Sequence, residues 1–376
     1  THFWNYFKTF WNFFRLETSF ADKKDFLDLT LKIKEMEEQE IAKYGDLSVK
    51  DFLDQYTDSQ FVHCMMAISS DSYAVVPYNR VAARDFLEIY QRVIKSKGVG
   101  YPKYGCGAIP EAFQKIIKKK SGVILKEEPV DRVLIEDGKT IGVRLAKSGK
   151  EILSDIVVAN VNLKHFVGRL VDKQYFSSDL ISKIEKLKHS FTSVVTHVAF
   201  KQPVIEEKFV MKSATLTPNE IAERRLDGEF PTEIGCFMPI VSNISPAMAP
   251  KGKQLAFAGI GTTHEYYETH EEQFKELILD NLQELAKKKY DIREEIEWMD
   301  VITPKDLKNL FGEQGAIVGL AQTIGQVRSN RIESDLPVEG LFHCGDDSGK
   351  DLFGVGTELA SLSGQNCAEM ILRTRK

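Results

Sequence analysis

"GLFHCGDDSGKDLFGVGTELASLSG", residues 340–364, is the stretch whose reading decides the fold of this chain. An apolar run, LFH, ends in a cysteine and a glycine. Two aspartates follow, then a loop carrying Gly349, Gly354 and Gly356, then a helix rich in small residues. Ligands in open α/β sheets sit at the carboxyl ends of strands. Asp346 stands at such an end and can accept hydrogen bonds from a sugar-like or ribityl hydroxyl. Gly354 and Gly356 let the backbone approach a ligand with no side chain in between. Thr357 opens a helix whose free N–H groups and positive dipole end attract an electron-rich group. Ala360, Gly364 and Ala368 recur every four residues, which predicts close packing against a sheet or cofactor. Taken alone, the stretch fits a strand-loop-helix junction without a ligand equally well.

Other nucleotide and metal signatures fail. "GDDSGK" has three residues rather than four between its glycines, and Asp351 follows Lys350 where a phosphate loop requires Ser or Thr. The dinucleotide fingerprint G-x-G-x-x-G occurs nowhere: "GCGAIP" ends in Pro110 and "GVGTEL" in Leu359. In "HEYYETH" the residue four after His264 is Glu268, so the zincin pattern is missing and no metal site is expected. His343 reads as a hydrogen-bonded core histidine and Cys344 as a small buried hydrophobe.

Working upstream, residues 98–165 change character from turn to helix to strands. A helix is predicted over 110–119 and a strand over "GVILKEEPV", residues 122–130. "RVLIEDGKTIGVRL" is a hairpin turning at Asp137-Gly138. "SDIVVAN" reads as a short strand buried on both faces of a parallel sheet. Helices are predicted over 22–45, from a Ser48 cap onward, and around "VAARDFLEIYQRVI". The opening residues place Phe3, Phe7, Phe10 and Phe14 on one helical stripe, beside Trp4 and Trp11. From 166 to about 258 the pattern alternates as in a second, antiparallel sheet, and a long helix follows near 268–288.

The chain has 376 residues, 43% hydrophobic and 28% charged, which is enough for two domains or one with a large insertion. A formal net charge of -5 argues against nucleic acid as the main partner. Its five cysteines are dispersed and form no CxxC pair, which suits a reducing compartment.

Two separated stretches resemble a known family. "YPKYGCGAIPEAF", with "EEPVDRVLIEDGKTIGVRL" and "SDIVVAN" behind it, is similar to the middle of phytoene desaturase and carotenoid isomerase-type flavoproteins, within the amine-oxidase-like FAD-binding group. The tail, 340–371, resembles the C-terminal flavin motif of that group. The resemblance implies a discontinuous Rossmann-like α/β FAD-binding domain with an inserted helical plus antiparallel-sheet substrate domain. The boundaries expected are 1–97 (helical part of the substrate domain), 98–165 (FAD-binding segment), 166–325 (substrate domain) and 326–376 (C-terminal FAD-binding segment). Asp346 would bind the ribityl or pyrophosphate region of FAD, and the backbone at Gly356 and Thr357 would face the flavin pyrimidine end. Val130 would contact the adenine through its backbone, Asn160 would lie near the pocket, and Gly345, Gly354 and Val355 complete the set.

The resemblance also implies an FAD-dependent oxidoreductase. It would transfer hydride between a lipophilic, polyene-like substrate and the flavin, or assist an isomerisation. Alternatives are an amine-oxidase or protoporphyrinogen-oxidase-like flavoenzyme, or a cofactor-free binding remnant, because the segment bearing G-x-G-x-x-G is not in this sequence. A cytoplasmic location is expected, with the aromatic stripe allowing peripheral membrane contact.

Overall fold

The computed structural model describes residues 18–96, 100–212, 229–230, 234–286, 289–312 and 315–374. The aromatic stripe from Phe3 to Phe14 lies outside them. A helical lobe comes first. Ser19 caps α1 (Phe20–Glu35) by accepting from the Asp22 amide. Met36 then turns extended, with ψ 134°, so the single helix expected over 22–45 is divided and α2 (Glu38–Ala42) follows. A reciprocal Ser48–Asp51 capping box starts α3 (Val49–Leu53). With α4 (Gln60–Ala74) and α5 (Ala83–Ser96), these helices enclose Leu29, Ile33, Phe52, Leu53, Val62, Met66 and Leu87. Burying each such side chain contributes about 1.5–3 kcal/mol. Ala321, from far along the chain, completes this core and ties the lobe to the segment behind the candidate site.

The next helix, α6 (Ala108–Lys119), ends in Lys118 and Lys119 but buries none of its residues. Its apolar stripe of Ile109, Phe113, Ile116 and Ile117 is 38–60% exposed. Residues 122–129, expected as a strand, have no ladder partner: Val123 is 82% exposed and Glu127 has a φ of 59°. A strand needs a neighbour that satisfies its backbone along its length; here, among the described residues, only the two ends are held, by the Gly122 amide donating to Ile117 O at 2.9 Å and the Ala146 amide to Pro129 O at 2.7 Å. The hairpin forms as read. In β1 (Val130–Glu136) and β2 (Lys139–Leu145), Asp137 and Gly138 both take positive φ, the signature of a tight hairpin turn. A third strand, β3 (Glu151–Leu153), completes this sheet.

The parallel pairing expected of "SDIVVAN" is present: β4 (Val157–Ala159) runs parallel to β10 (Leu341–His343). Burial on both faces is not. All of β10 is buried, but Val158 is 45% exposed. Parallel sheets are normally covered on both sides, and here β10 is so covered while the edge strand β4 is not. After a single turn, α7 (Leu163–His165), and α8 (Ser178–Lys186), the second sheet begins. It comprises β5 (Thr192–Phe200), β6 (Phe209–Lys212), β7 (Cys236–Pro239), β8 (Gln254–Thr262) and β9 (Ile296–Ile302), antiparallel in the order β6-β7-β8-β5-β9. One face, including Val194, Val198, Ala258 and Ile260, packs on α9 (His264–Leu285). That helix starts earlier than the expected 268 because Thr263 caps it. The other face is less covered by the described residues. Thr303 and Asp306 cap α10 (Pro304–Phe311), and α11 (Gly356–Thr374) closes the chain.

The buried face of α11 differs from the sequence reading. Leu359, Ser363 and Cys367 face inward, while a Cβ on Gly364 would meet nothing within 4 Å. The stripe of Ala360, Gly364 and Ala368 lies one residue further round, on a side that no described residue covers closely. No described helix is long and apolar enough to cross a membrane.

Candidate functional site

The site forms at the shared carboxyl ends of β4 and β10. The Cys344 amide donates to the Ala159 carbonyl at 2.9 Å, extending the ladder one residue beyond His343. His343 anchors that strand: its Nε2–H donates to the Val161 carbonyl at 2.7 Å, and Nδ1 accepts from the Ser348 hydroxyl at 2.9 Å. Burial drives its pKa down to about 4, so it stays neutral. It is a core histidine, as its sequence position suggests. Cys344 is half-buried rather than enclosed.

Gly345 follows with φ 128°, and a Cβ there would come within 2.7 Å of Asn160 Oδ1. Its amide donates to Ser363 Oγ on α11 at 3.1 Å. Asn160, Gly345 and Asp346 are therefore brought together. Asp346 rests against Gly319, where a Cβ would fall 2.5 Å from the Asp346 Cγ and where φ is 62°. Only glycine fits that contact. Arg331 is 2% exposed and donates from Nη1 to the Asp346 carbonyl at 2.9 Å and from Nη2 to Gln322 Oε1 at 2.6 Å. Among the described residues no side chain donates to the Asp346 carboxylate. Burial raises its pKa, opposed by its own backbone amide and by the Arg331 charge. The result is a recessed carboxylate with acceptor capacity to spare, suited to a hydroxyl donor.

Asp347 points the other way. It is 4% exposed, and its Oδ2 accepts from the Leu163 amide at 3.0 Å, at the start of α7. Burial, with Asp346 beside it, pushes its pKa up to about 6. Gly354 is buried, Val355 half-buried, and Gly356 sits beside Val318 at the first turn of α11, with Thr357 exposed. Phe353 fixes this loop to the helical lobe. It lies between two guanidinium groups, Arg92 at 4.1 Å and Arg328 at 4.5 Å. Arg92 also pairs with Glu358 at 2.9 Å, and Arg328 with Asp85 at 3.4 Å and Glu88 at 2.6 Å. Val130 stands apart from this cluster, paired with Leu145 at the open end of the hairpin.

The segment behind Asp346 leads directly to the second sheet. The Ser190 amide donates to Gly319 O at 2.9 Å, and the Ile317 amide to Phe191 O at 3.3 Å, just before β5 begins. The less covered sheet face there carries Phe209, Phe237 and Phe257, with successive ring centroids 5.0 and 6.3 Å apart. Gly259 and Gly261 leave room beside them, since a Cβ on Gly261 would meet nothing within 4 Å. On one side Ser72 Oγ of α4 approaches Met211 Sδ at 3.1 Å. An aromatic cluster thus lies on one face of the sheet into which this segment leads.

Gly319, Arg331 and Asp347 were not singled out from the sequence. Gly319 belongs to the glycine-spaced segment "FGEQGAIVGLAQ", which signals close backbone approach without naming the partner. Nothing in the sequence sets Arg331 apart, and Asp347 reads there only as one of the charges of the loop.

The fold is one shared with solved oxidoreductases. An oxidoreductase from Methanosarcina mazei superposes with a TM-score of 0.68 at 18% identity, covering 94% of this chain and 73% of the other. A putrescine oxidase variant gives 0.65 at 12%, covering 95% and 77%. The family model described as GDI, GDP dissociation inhibitor, matches residues 5–221, more than half of the 376 residues, and the chain belongs to that family. The resemblance to the phytoene desaturase and carotenoid isomerase group also holds. A zeta-carotene-forming phytoene desaturase from Myxococcus xanthus is 22% identical over 80% of this chain and 57% of its own length. Prolycopene isomerase 2 of an Oncidium hybrid is 23% identical over 73% and 46%. The chain spans about half the length of these curated relatives.

Proposed function

We propose that this chain contributes the C-terminal half of an FAD site and the adjoining substrate slot of a phytoene desaturase-like oxidoreductase or isomerase. The observation that carries the reading is the Asp346 carboxylate. It is recessed at the carboxyl end of a parallel strand pair, has no side-chain donor among the described residues, and backs onto a glycine that could not be replaced. Asp346 would accept from a ribityl hydroxyl, with Asn160 and Gly345 beside it. Gly354, Val355, Gly356 and Thr357 would face the flavin ring through the backbone and the first turn of α11. Val130 would meet the adenine. In this reading 98–165 and 326–376 form the cofactor half, and 1–97 with 166–325 the substrate half.

Bound FAD supplies a two-electron acceptor or donor, so the protein need contribute no nucleophile or metal. Its own residues bind and orient. Phe209, Phe237 and Phe257 would hold an apolar, polyene-like molecule and exclude water from it. A cytoplasmic location with peripheral contact to a membrane suits such a substrate. The exposed stripe of α6 and the unpaired 122–129 segment would be covered by the part of the site that bears the pyrophosphate cradle.

Those same exposed surfaces, with the GDI match, favour one second reading: a cofactor-free binding module. Gel filtration after incubation with FAD separates the two. Flavin absorbance that travels with the protein supports the first. Its absence, even when a G-x-G-x-x-G segment is supplied upstream, leaves the binding module.

A further inference from the structure

Two thiols meet beside the candidate cofactor site. Cys344 ends the β10 ladder and immediately precedes Gly345 and Asp346. Cys367 lies on α11, one turn beyond Ser363 and on the same buried face, and is 1% exposed. The Gly345–Ser363 hydrogen bond holds this strand end against that helix face at 3.1 Å. Cys344, one residue before Gly345, and Cys367, one turn beyond Ser363, therefore lie on facing sides of this contact, close enough for the two thiols to influence each other. Their surroundings differ. Cys344 is half-buried, and the Cys367 side chain pulls its thiol down to about 7. Cys367 is enclosed, and the Cys344 side chain raises its thiol. The thiolate is the reactive form, so Cys344 is the member of the pair prepared to attack and Cys367 the member in place to resolve. Cys236, by contrast, is buried with its thiol pushed up to about 12.

We propose that Cys344 and Cys367 form a peroxide-sensitive dithiol pair whose disulfide locks the strand end carrying Asp346 to the helix carrying Gly356 and Thr357. In the first step the Cys344 thiolate attacks one oxygen of hydrogen peroxide. The O–O bond breaks, Cys344 becomes a sulfenic acid and hydroxide leaves. In the second, the Cys367 sulfur attacks the sulfenic sulfur. The S–O bond breaks, and the departing hydroxide takes the Cys367 proton as water. Two electrons pass from the two thiols to one peroxide, and a dithiol reductant reverses the change. In a reducing compartment such a pair rests reduced and responds to oxidant. The chemistry does not require flavin to be bound, so it stands or falls separately from the proposed function.

The test treats the reduced full chain with hydrogen peroxide and maps its peptides without reduction. The expected product is one peptide pair joined through Cys344 and Cys367 that dithiothreitol separates, together with a raised thermal midpoint. In Cys367→Ser, a sulfenic acid should accumulate at Cys344 and be trapped by dimedone. In Cys344→Ser, peroxide-dependent modification of Cys367 should fall about tenfold or more. If either variant fails to fold, the wild-type map decides alone. Modification confined to the exposed Cys106, or a Cys344 that pairs with any cysteine other than Cys367, would overturn the proposal.

Discussion

β10 and the segment 122–129 each begin with a short apolar run, Leu341-Phe342 and Val123-Ile124-Leu125, and they come to opposite ends. Leu341, Phe342 and His343 are at most 4% exposed, laddered to β4 and covered by Leu163, Phe166 and Leu336. Val123 and Leu125 are 82% and 52% exposed and form no ladder. The difference lies in their partners. A strand is stable when a neighbour satisfies its N–H and C=O groups and something buries its side chains. β10 has both, whereas among the described residues 122–129 has backbone partners at its two ends alone and stays largely exposed. The cluster around Asp346 is accordingly ordered by contacts internal to the chain, while the apolar stripe of α6 is exposed.

The largest effect expected is at Arg331, which countercharges the buried end of the site. Its guanidinium is held by Asp346 O and Gln322 and faces Asp85, Asp346 and Asp347. Arg331→Leu would leave buried carboxylates unopposed and should cost about 3–5 kcal/mol in denaturant unfolding. A loss below about 1 kcal/mol would mean that the ordered half does not depend on its charges. The next test addresses the comparison itself. Leu341→Ala should cost about 2–5 kcal/mol, and Val123→Ala no more than about 0.5 kcal/mol. Equal costs would show that 122–129 is buried in solution after all.

A third prediction concerns pH. Asp347 is raised to about 6, so its contribution to stability is full below its unfolded value near 4 and is lost as pH rises through about 6. His343 is lowered to about 4, so its contribution is full above its unfolded value near 6.5 and is lost as pH falls toward 4. Between about pH 4 and 6 the two slopes oppose each other, with Asp346, also raised, acting in the same sense as Asp347. Asp347→Asn should therefore gain about 2 kcal/mol at pH 7.5 and should lose stability on acidification more steeply than the wild type. Thermal midpoints across that range measure both, and parallel curves would refute the assignment. A small effect should also come from Arg92→Ala. It removes a half-exposed ion pair and one side of the Phe353 sandwich, so the cost should stay below about 1 kcal/mol.

Much of this was legible in the sequence because it is local. Capping at Ser48, the Asp137-Gly138 turn, the alternation of β5 and β8, and the strand-loop-helix of 340–364 each depend on residues close in the chain. What was not legible depends on partners. "GVILKEEPV" has strand composition whether or not a neighbour exists. The spacing of Ala360, Gly364 and Ala368 marks a small-residue face, but burial chose Leu359, Ser363 and Cys367 instead. The Gly319–Asp346 contact joins segments that no periodicity links. Asp346 itself was found because its position relative to a strand end carries chemical meaning.

The most direct test of the account is a fluorescence titration of FAD into the chain and into Asp346→Asn. Losing an ionised acceptor from a hydroxyl hydrogen bond should weaken binding about 10–100-fold, with the thermal midpoint of the free protein no lower than that of the wild type. Equal affinity in the two proteins, or no affinity in either even with a G-x-G-x-x-G segment supplied upstream, would contradict the assignment of Asp346 to the cofactor.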